Sequence, residues 1–360
     1  MIPLLIGFHG TQITPFVRSA LAQGCPGVIL FSRNIESPAR LRTLTDQLRE
    51  AGAAIVAVDQ EGGRVARLRD GFTPAVPSMR SIGSSEPDAR QLATLAGTAL
   101  AAHCIQAGAN LNFAPVVDVD SNPRNPVIAD RSFSHDPSTV APLATAIIQA
   151  MQTAGVAACA KHFPGHGDTH TDSHLQLPTL MHDRARLDRI ELPPFHAAIQ
   201  ARVAAIMTAH ILFPAIDPHT PATLSPHILQ PILRHSLSYD GLIVSDCLEM
   251  AAIADLYHLP DAAEQAWLAG VDLLLVSHRE DRQAAVIQRA RQLAASSPAA
   301  RTRLAEAAQR IARLASRFPA QPASSAPAVD PAAFARLADR AAEQPDPTAP
   351  SLRLPSAHGG

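Results

Sequence analysis

Val156-Ala157-Ala158-Cys159-Ala160-Lys161-His162-Phe163-Pro164-Gly165-His166-Gly167-Asp168-Thr169-His170-Thr171-Asp172-Ser173-His174 couples an apolar run to a loop dense in ionisable side chains. The five residues from Val156 to Ala160 carry only small or apolar side chains, as in a strand covered on both faces. The fourteen residues from Lys161 to His174 hold four histidines, two aspartates and a lysine. The histidines recur every four residues, a spacing that would stripe one face of a helix and suggest a metal ladder. Pro164, Gly165 and Gly167 stand inside that run, and a proline with two glycines prevents a helix. The segment is therefore a strand that ends in a loop, with polar groups gathered above the strand end. Loops on a rigid scaffold carry binding and catalytic groups. A merely solvated polar loop is the bland alternative.

Runs of the same kind recur at residues 4–7, 27–31, 54–59, 110–117, 156–162, 204–210, 241–246 and 271–277. Several are continuously apolar rather than alternating, as expected of parallel strands. Between them the pattern predicts helices over 38–50, 87–107, 137–153, 184–201, 226–235 and 260–269. Several open on a proline, whose missing N–H does no harm in a first turn. Eight alternations of strand and helix over about 280 residues predict a (β/α)8 TIM-like barrel. A doubly wound open sheet satisfies the same alternation.

After Ser277 the chain becomes Ala/Arg-rich helix up to residue 318, followed by a Pro/Ala/Ser-rich stretch, a short helical segment at 332–343 and a proline-rich end. The expected organisation is a single catalytic barrel over residues 1–317 and a Pro/Ala-rich tail over 318–360. That tail is expected to pack partly on the barrel and to be disordered elsewhere.

Composition narrows the function. The 360 residues are 47% hydrophobic, enough for a sizeable core, and 17% charged, with a net charge of −2. No Lys/Arg run stands out, so nucleic acid is not an expected partner. Aromatics make up only 4%, with one Trp and two Tyr, which favours a small soluble substrate over a long polymer stacked on rings. Cys25, Cys104, Cys159 and Cys247 are scattered, with no framework spacing, and are expected to be reduced thiols. Residues 1–8 are apolar but short and without a basic leader, so they suit a first strand. No run of 18 apolar residues exists to span a membrane. A cytoplasmic, soluble, monomeric protein is expected.

Four strand ends carry unusual polar clusters. Residues 54–59 run into Asp59-Gln60-Glu61-Gly62-Gly63-Arg64-Val65-Ala66-Arg67, and residues 110–117 lead through Asp118 and Asp120 to Asp130-Arg131-Ser132-Phe133. Residues 156–162 open the histidine loop, and residues 241–246 end in Ser245-Asp246-Cys247-Leu248-Glu249-Met250. In a barrel the site lies at the C-terminal ends of the strands. Carboxylates, arginines and a lysine on one rim suit a polyhydroxylated substrate. No G-x-G-x-x-G or Walker motif sits in a strand–turn–helix context, and no cofactor is expected.

Val58-Asp59-Gln60-Glu61-Gly62-Gly63-Arg64-Val65, Lys161-His162-Phe163-Pro164-Gly165-His166-Gly167 with Asp172-Ser173-His174, and Ser245-Asp246 before Leu248-Glu249-Met250 resemble glycoside hydrolase family 3. Within it they are most similar to single-domain bacterial β-N-acetylglucosaminidases of cell-wall recycling. The resemblance spans residues 2 to 317 and falls on three strand ends in the expected order. Many family members take their acid/base carboxylate from a second domain, and the resemblance implies none in this chain. The Asp-Ser-His triplet resembles the branch that uses a histidine in that role.

The resemblance implies a retaining exo-β-N-acetylglucosaminidase. Its substrate would be a small soluble carbohydrate, N-acetylglucosamine linked to an anhydro-muropeptide. Asp246 would be the nucleophile, forming a covalent glycosyl-enzyme; a helix N-cap is its structural alternative. His174, oriented by Asp172, would be the acid/base, since imidazole titrates near pH 6.5. Asp59, Arg67, Arg131, Lys161 and His162 would contact the sugar hydroxyls, or else form a rim ion-pair network. His166 is expected to brace the loop, and His170 to be exposed. Cys247 departs from the family, which commonly carries a second aspartate there; strand alternation turns its side chain away from Asp246.

The same Asp/His pair would also serve phosphorolysis, with phosphate in place of water. Two other classes compete. A metal-dependent barrel hydrolase would use His162, His166, His170 and Asp246, but it lacks the ligands such sites draw from several strands. A non-catalytic sugar-binding barrel would not need Asp172 and His174 beside a strand-end aspartate.

Overall fold

A computed structural model describes residues 1–170, 172–173 and 176–336. Eight parallel strands close into a barrel: β1 Leu4–Ile6, β2 Gly27–Leu30, β3 Ile55–Val58, β4 Leu111–Asn112, β5 Ala157–Phe163, β6 Ala205–Thr208, β7 Leu242–Cys247 and β8 Leu273–Val276. Each strand pairs with its sequence neighbours, and β8 closes on β1 through Leu4 opposite Leu274. The (β/α)8 expectation holds, and the open sheet is excluded by that closing pair.

Alternation along the strands separates two apolar layers. Leu5, Ile29, Ile55, Ala57, Ala157, Cys159, Met207, Val244 and Leu275 fill the barrel interior. Leu4, Ile6, Val28, Val56, Ala158, Ile206, Ile243 and Leu274 face the surrounding helices. Both faces are dry, which is why these strands are continuously apolar. The same alternation carried past the interior residues Ala57, Cys159 and Val244 brings Asp59, Lys161 and Asp246 to the inward face above the core. β4 is short because Pro115 lacks the N–H a longer ladder needs; pairing resumes at a bridge between Val116 and Lys161.

Helices Pro38–Glu50 and Pro137–Thr153 match their predicted bounds, each capped by the side chain before its proline, Ser37 and Asp136. A helix at Pro15–Ala22 is additional to the predicted set. Two of the predicted helices contain π-turns, at Leu187–Glu191 and Leu229–Ser236. The Ala/Arg-rich segment is two helices, Glu280–Ser296 and Pro298–Arg317, because Pro298 cannot continue the first and Ser297 caps the second.

At the N-terminal end of β8, buried Asp272 receives Arg234 at 2.5 Å, Arg303 at 2.7 Å and Arg310 at 3.4 Å. This ties the helix Pro298–Arg317 to the barrel floor. Beyond it, Phe334 is buried against the helical layer. Among the described residues no helix is long and apolar enough to cross a membrane.

Candidate active site

The C-terminal rim of the barrel surrounds a cavity of about 220 Å³. Its wall includes Asp59, Glu61, Arg64, Arg67, Arg131, Lys161, His162, His166, Asp172 and Asp246. All five predicted sugar-binding residues, the predicted nucleophile and Asp172 therefore meet in one place. His174 lies outside the described residues.

The segment after β3 turns back as a small hairpin, Gln60–Gly62 against Val65–Ala66. Asn112 fixes its start: Oδ1 accepts the Gln60 N–H at 2.9 Å, and Nδ2 donates to the Gln60 carbonyl at 2.8 Å. Gln60 Oε1 in turn accepts the N–H groups of Arg67 and Leu68. Gly62 turns at φ +105, and a Cβ there would stand 2.6 Å from the Pro77 carbonyl oxygen. The hairpin thus holds Glu61 and Arg67 to the cavity.

Glu61, 2% exposed, organises the cations. Arg131 donates to both its oxygens at 2.9 Å, and Lys161 Nζ lies 2.6 Å from Oε1. Lys161 also donates to Asp59 Oδ1 at 2.9 Å. Burial alone would raise the Glu61 pKa, but Arg131 and Lys161 outweigh it and hold the carboxyl well below the usual range. Burial likewise opposes the charge on Lys161, and Asp59 and Glu61 restore it. Asp59, Arg131 and Lys161, expected either to contact sugar or to form a rim network, do form that network. Arg67 is different: its Nε is buried with no hydrogen-bond partner among the described residues.

Asp118, fully buried, does for the histidine loop what Glu61 does for the cations. Its carboxylate accepts the N–H of His162 at 3.1 Å, the N–H of His166 at 2.8 Å, and faces His162 Nδ1 at 2.8 Å. The aspartate remains ionised despite burial, because His162 and His166 lower its pKa. With Nδ1 turned to a carboxylate, His162 presents Nε2 toward Arg131, whose Nη2 is 3.4 Å away.

His166 braces the loop through Thr169 at 2.9 Å and Ser173 at 3.1 Å, and burial lowers its pKa to about 4. His170 is exposed and turned to Asn122, away from the cavity wall, so it does not join His162 and His166 as a ligand set. Gly167 passes so close to Val119 that any Cβ would overlap its carbonyl oxygen.

Asp246 ends β7. Its Oδ1 accepts the Cys247 N–H at 2.7 Å. Burial would raise its pKa, but His210, His162 and Lys161 bring it below the ordinary carboxylate value. Cys247 does not face away as alternation predicts. The β7–β8 register shifts between Leu273 and Leu275, and the thiol packs on the inner layer, 3.1 Å from Ser277 Oγ. It lies outside the cavity wall. Glu249 accepts three backbone N–H groups, from Ser277 at 2.8 Å, His278 at 2.6 Å and Arg279 at 3.1 Å, pinning the turn after β8.

Residues 17–314 match the glycosyl hydrolase family 3 N-terminal domain. The chain belongs to that family. Its relatives include beta-hexosaminidase A of Pseudoalteromonas piscicida, 38% identical over 326 residues, covering 83% of this chain but 54% of that protein. The beta-hexosaminidase of Alkalilimnicola ehrlichii is 40% identical over 292 residues, covering 79% and 83%.

Among solved structures, a family 3 β-N-acetylglucosaminidase from Paenibacillus sp. superposes with a TM-score of 0.86 at 39% identity, covering 94% of this chain and 66% of that one. NagZ from Neisseria gonorrhoeae gives 0.73 at 32% identity, covering 87% and 97%. The chain thus spans little more than half of the first relative and most of the NagZ protein. Glu61, Asp118 and His210 are the site residues that sequence reasoning left unassigned. Glu61 and Asp118 stood in quoted strand-end clusters, but nothing in a single sequence says which carboxylate meets which cation.

Proposed function

We propose that this protein is a retaining exo-β-N-acetylglucosaminidase that removes terminal β-linked N-acetylglucosamine from peptidoglycan fragments. The observation that carries this reading is the placement of Asp246, inward at the end of β7, in a cavity it shares with the carboxylates Asp59, Glu61 and Asp172 and the cations Arg64, Arg67, Arg131 and Lys161. The names of the hexosaminidase relatives support the sugar. The acceptor half of the substrate follows from the resemblance to cell-wall recycling enzymes.

In the proposed reaction the Cys247 N–H holds Asp246 Oδ1, leaving Oδ2 to attack the anomeric carbon. The bond from that carbon to the leaving oxygen breaks as the bond to Oδ2 forms, and His174 delivers a proton to the departing oxygen. Water then gives a proton back to His174 and its oxygen to the anomeric carbon, releasing Asp246. Asp172 orients the imidazole. Lys161, Asp59, Arg131, Arg67 and His162 bind the sugar hydroxyls.

The test is hydrolysis of an aryl N-acetyl-β-glucosaminide with and without chelator, combined with trapping of the glycosyl-enzyme. The trapped sugar is expected on the peptide containing Asp246. A label on Cys247 or Glu249, or activity that EDTA abolishes and zinc restores, would overturn the assignment.

A further inference from the structure

His210 lies two residues past the end of β6, buried at 1% exposure, and is not part of the cavity wall. Its ring lies between two oxygens. Nε2 is 3.0 Å from the Cys247 carbonyl oxygen, which can only accept. Nδ1 is 2.8 Å from Thr223 Oγ1, and the Thr223 hydroxyl donates to the Ala209 carbonyl at 2.9 Å. A hydroxyl has one hydrogen. Given to Ala209, it leaves only lone pairs toward His210. An imidazole meets acceptors at both nitrogens only when both are protonated.

We propose that His210 is an imidazolium at neutral pH and the positioning residue of Asp246: it clamps the turn after the nucleophile through the Cys247 carbonyl, and its charge keeps the carboxylate ionised. This rests on the assignment of Asp246 as nucleophile.

The surroundings of Asp246 agree with it. Burial pushes that carboxyl up, and His210 is the foremost group bringing it down, ahead of His162 and Lys161 on β5. The nearby thiols of Cys247 and Cys159 are held protonated by burial and add no charge, while the carboxylates Asp59, Glu61, Asp172 and Glu249 stand on the same rim. A neutral histidine would leave the Asp246 carboxylate with less support in a dry site.

Two measurements on the full-length protein test this. Nitrogen-15 NMR of the imidazole rings, with His210 identified by sequential assignment of the wild-type protein, should show both His210 nitrogens protonated at pH 7. The second is the acid limb of kcat/KM on an aryl N-acetyl-β-glucosaminide. A nearby cation lowers an aspartate pKa, so removing it raises that pKa and moves the limb to higher pH. His210→Gln keeps a donor for the Cys247 carbonyl but no charge. It should move the limb up by about one pH unit and lower kcat by on the order of tenfold, with KM changed less.

A merely structural histidine would cost activity without moving the limb. A singly protonated ring at pH 7, or an unmoved limb, overturns the proposal, and the NMR measurement on wild type stands even if the variant does not fold. Asp246→Asn separates the two assignments. Continued turnover in that variant would remove the nucleophile assignment, whereas a dead Asp246→Asn with an unmoved His210→Gln limb would remove only this one.

Discussion

Asp118 Oδ2 lies 2.8 Å from His162 Nδ1, and the same carboxylate holds the backbone N–H of His162, so ring and main chain are oriented by one buried anion. An asparagine there offers one acceptor oxygen where the carboxylate offers two. Asp118→Asn should therefore release the His162 tautomer and raise KM by on the order of tenfold, the scale of losing an orienting partner. Inhibition constants for free N-acetylglucosamine should rise in parallel. An unchanged constant would mean that His162 does not read the sugar.

Glu61→Gln leaves buried Arg131 facing a neutral amide and Lys161 with Asp59 alone. Breaking a buried pair from one side costs about 3–5 kcal/mol. Urea unfolding should show a loss of that order, and pairing Glu61→Gln with Lys161→Met should recover part of it. A stability unchanged within about 0.5 kcal/mol would show that water reaches the network.

Two histidines set an acid sensitivity. Burial lowers the pKa of His103 and of His166 from 6.5 to about 4. The unfolded chain therefore binds more protons than the folded one between those values, and stability falls as pH drops from about 6.5 to about 4. Urea midpoints should be lower at pH 4.5 than at pH 7. Replacing His103 with glutamine should shrink the difference, since glutamine does not titrate.

The leaving group should report on His174. A sugar alkoxide needs protonation and a nitrophenolate scarcely does. His174→Ala is expected to lose on the order of 10²–10⁴-fold on a disaccharide, and distinctly less in glycosylation on an activated aryl glycoside. Asp172→Ala should follow the same pattern to a smaller extent. Equal losses on both substrates in pre-steady-state glycosylation would assign His174 to positioning.

Sugar selectivity is the remaining check. The N-acetyl-β-glucosaminide should be cleaved far faster than the matching β-glucoside. Equal rates would show that the N-acetylglucosaminidase assignment within the family is wrong.

The barrel was legible because each of its strands is dry on both faces, so runs such as Val156 to Ala160 stand out against amphipathic helices. Prolines marked most helix starts. Pro298 carries the same signal inside the Ala/Arg-rich segment, where the uniform composition hides the break between two helices. Pro115 sat inside the predicted 110–117 strand and shortened it for the same chemical reason that starts helices elsewhere.

That Asp59, Arg67, Arg131, Lys161, His162, Asp172 and Asp246 share one rim was legible, and their pairings were not. Glu61 meets Arg131 at a separation of 70 residues, and Asp118 meets His162 at 44, distances over which local pattern has no say. His210 closed a predicted strand with no polar neighbour in sequence to mark it. Its partners, Thr223 and Cys247, come from the loop after β6 and from β7.

The carboxylate of Glu249, seated on the N–H groups of Ser277, His278 and Arg279, has a further consequence. In many barrels of this type, the loops after the seventh and eighth strands cradle a phosphate. Here the cradle is filled from within by an anion tethered to the chain. A phosphate entering that seat would first have to displace the Glu249 carboxylate from all three N–H groups. The barrel thus fills its own anion seat, with a carboxylate carried three residues past Asp246.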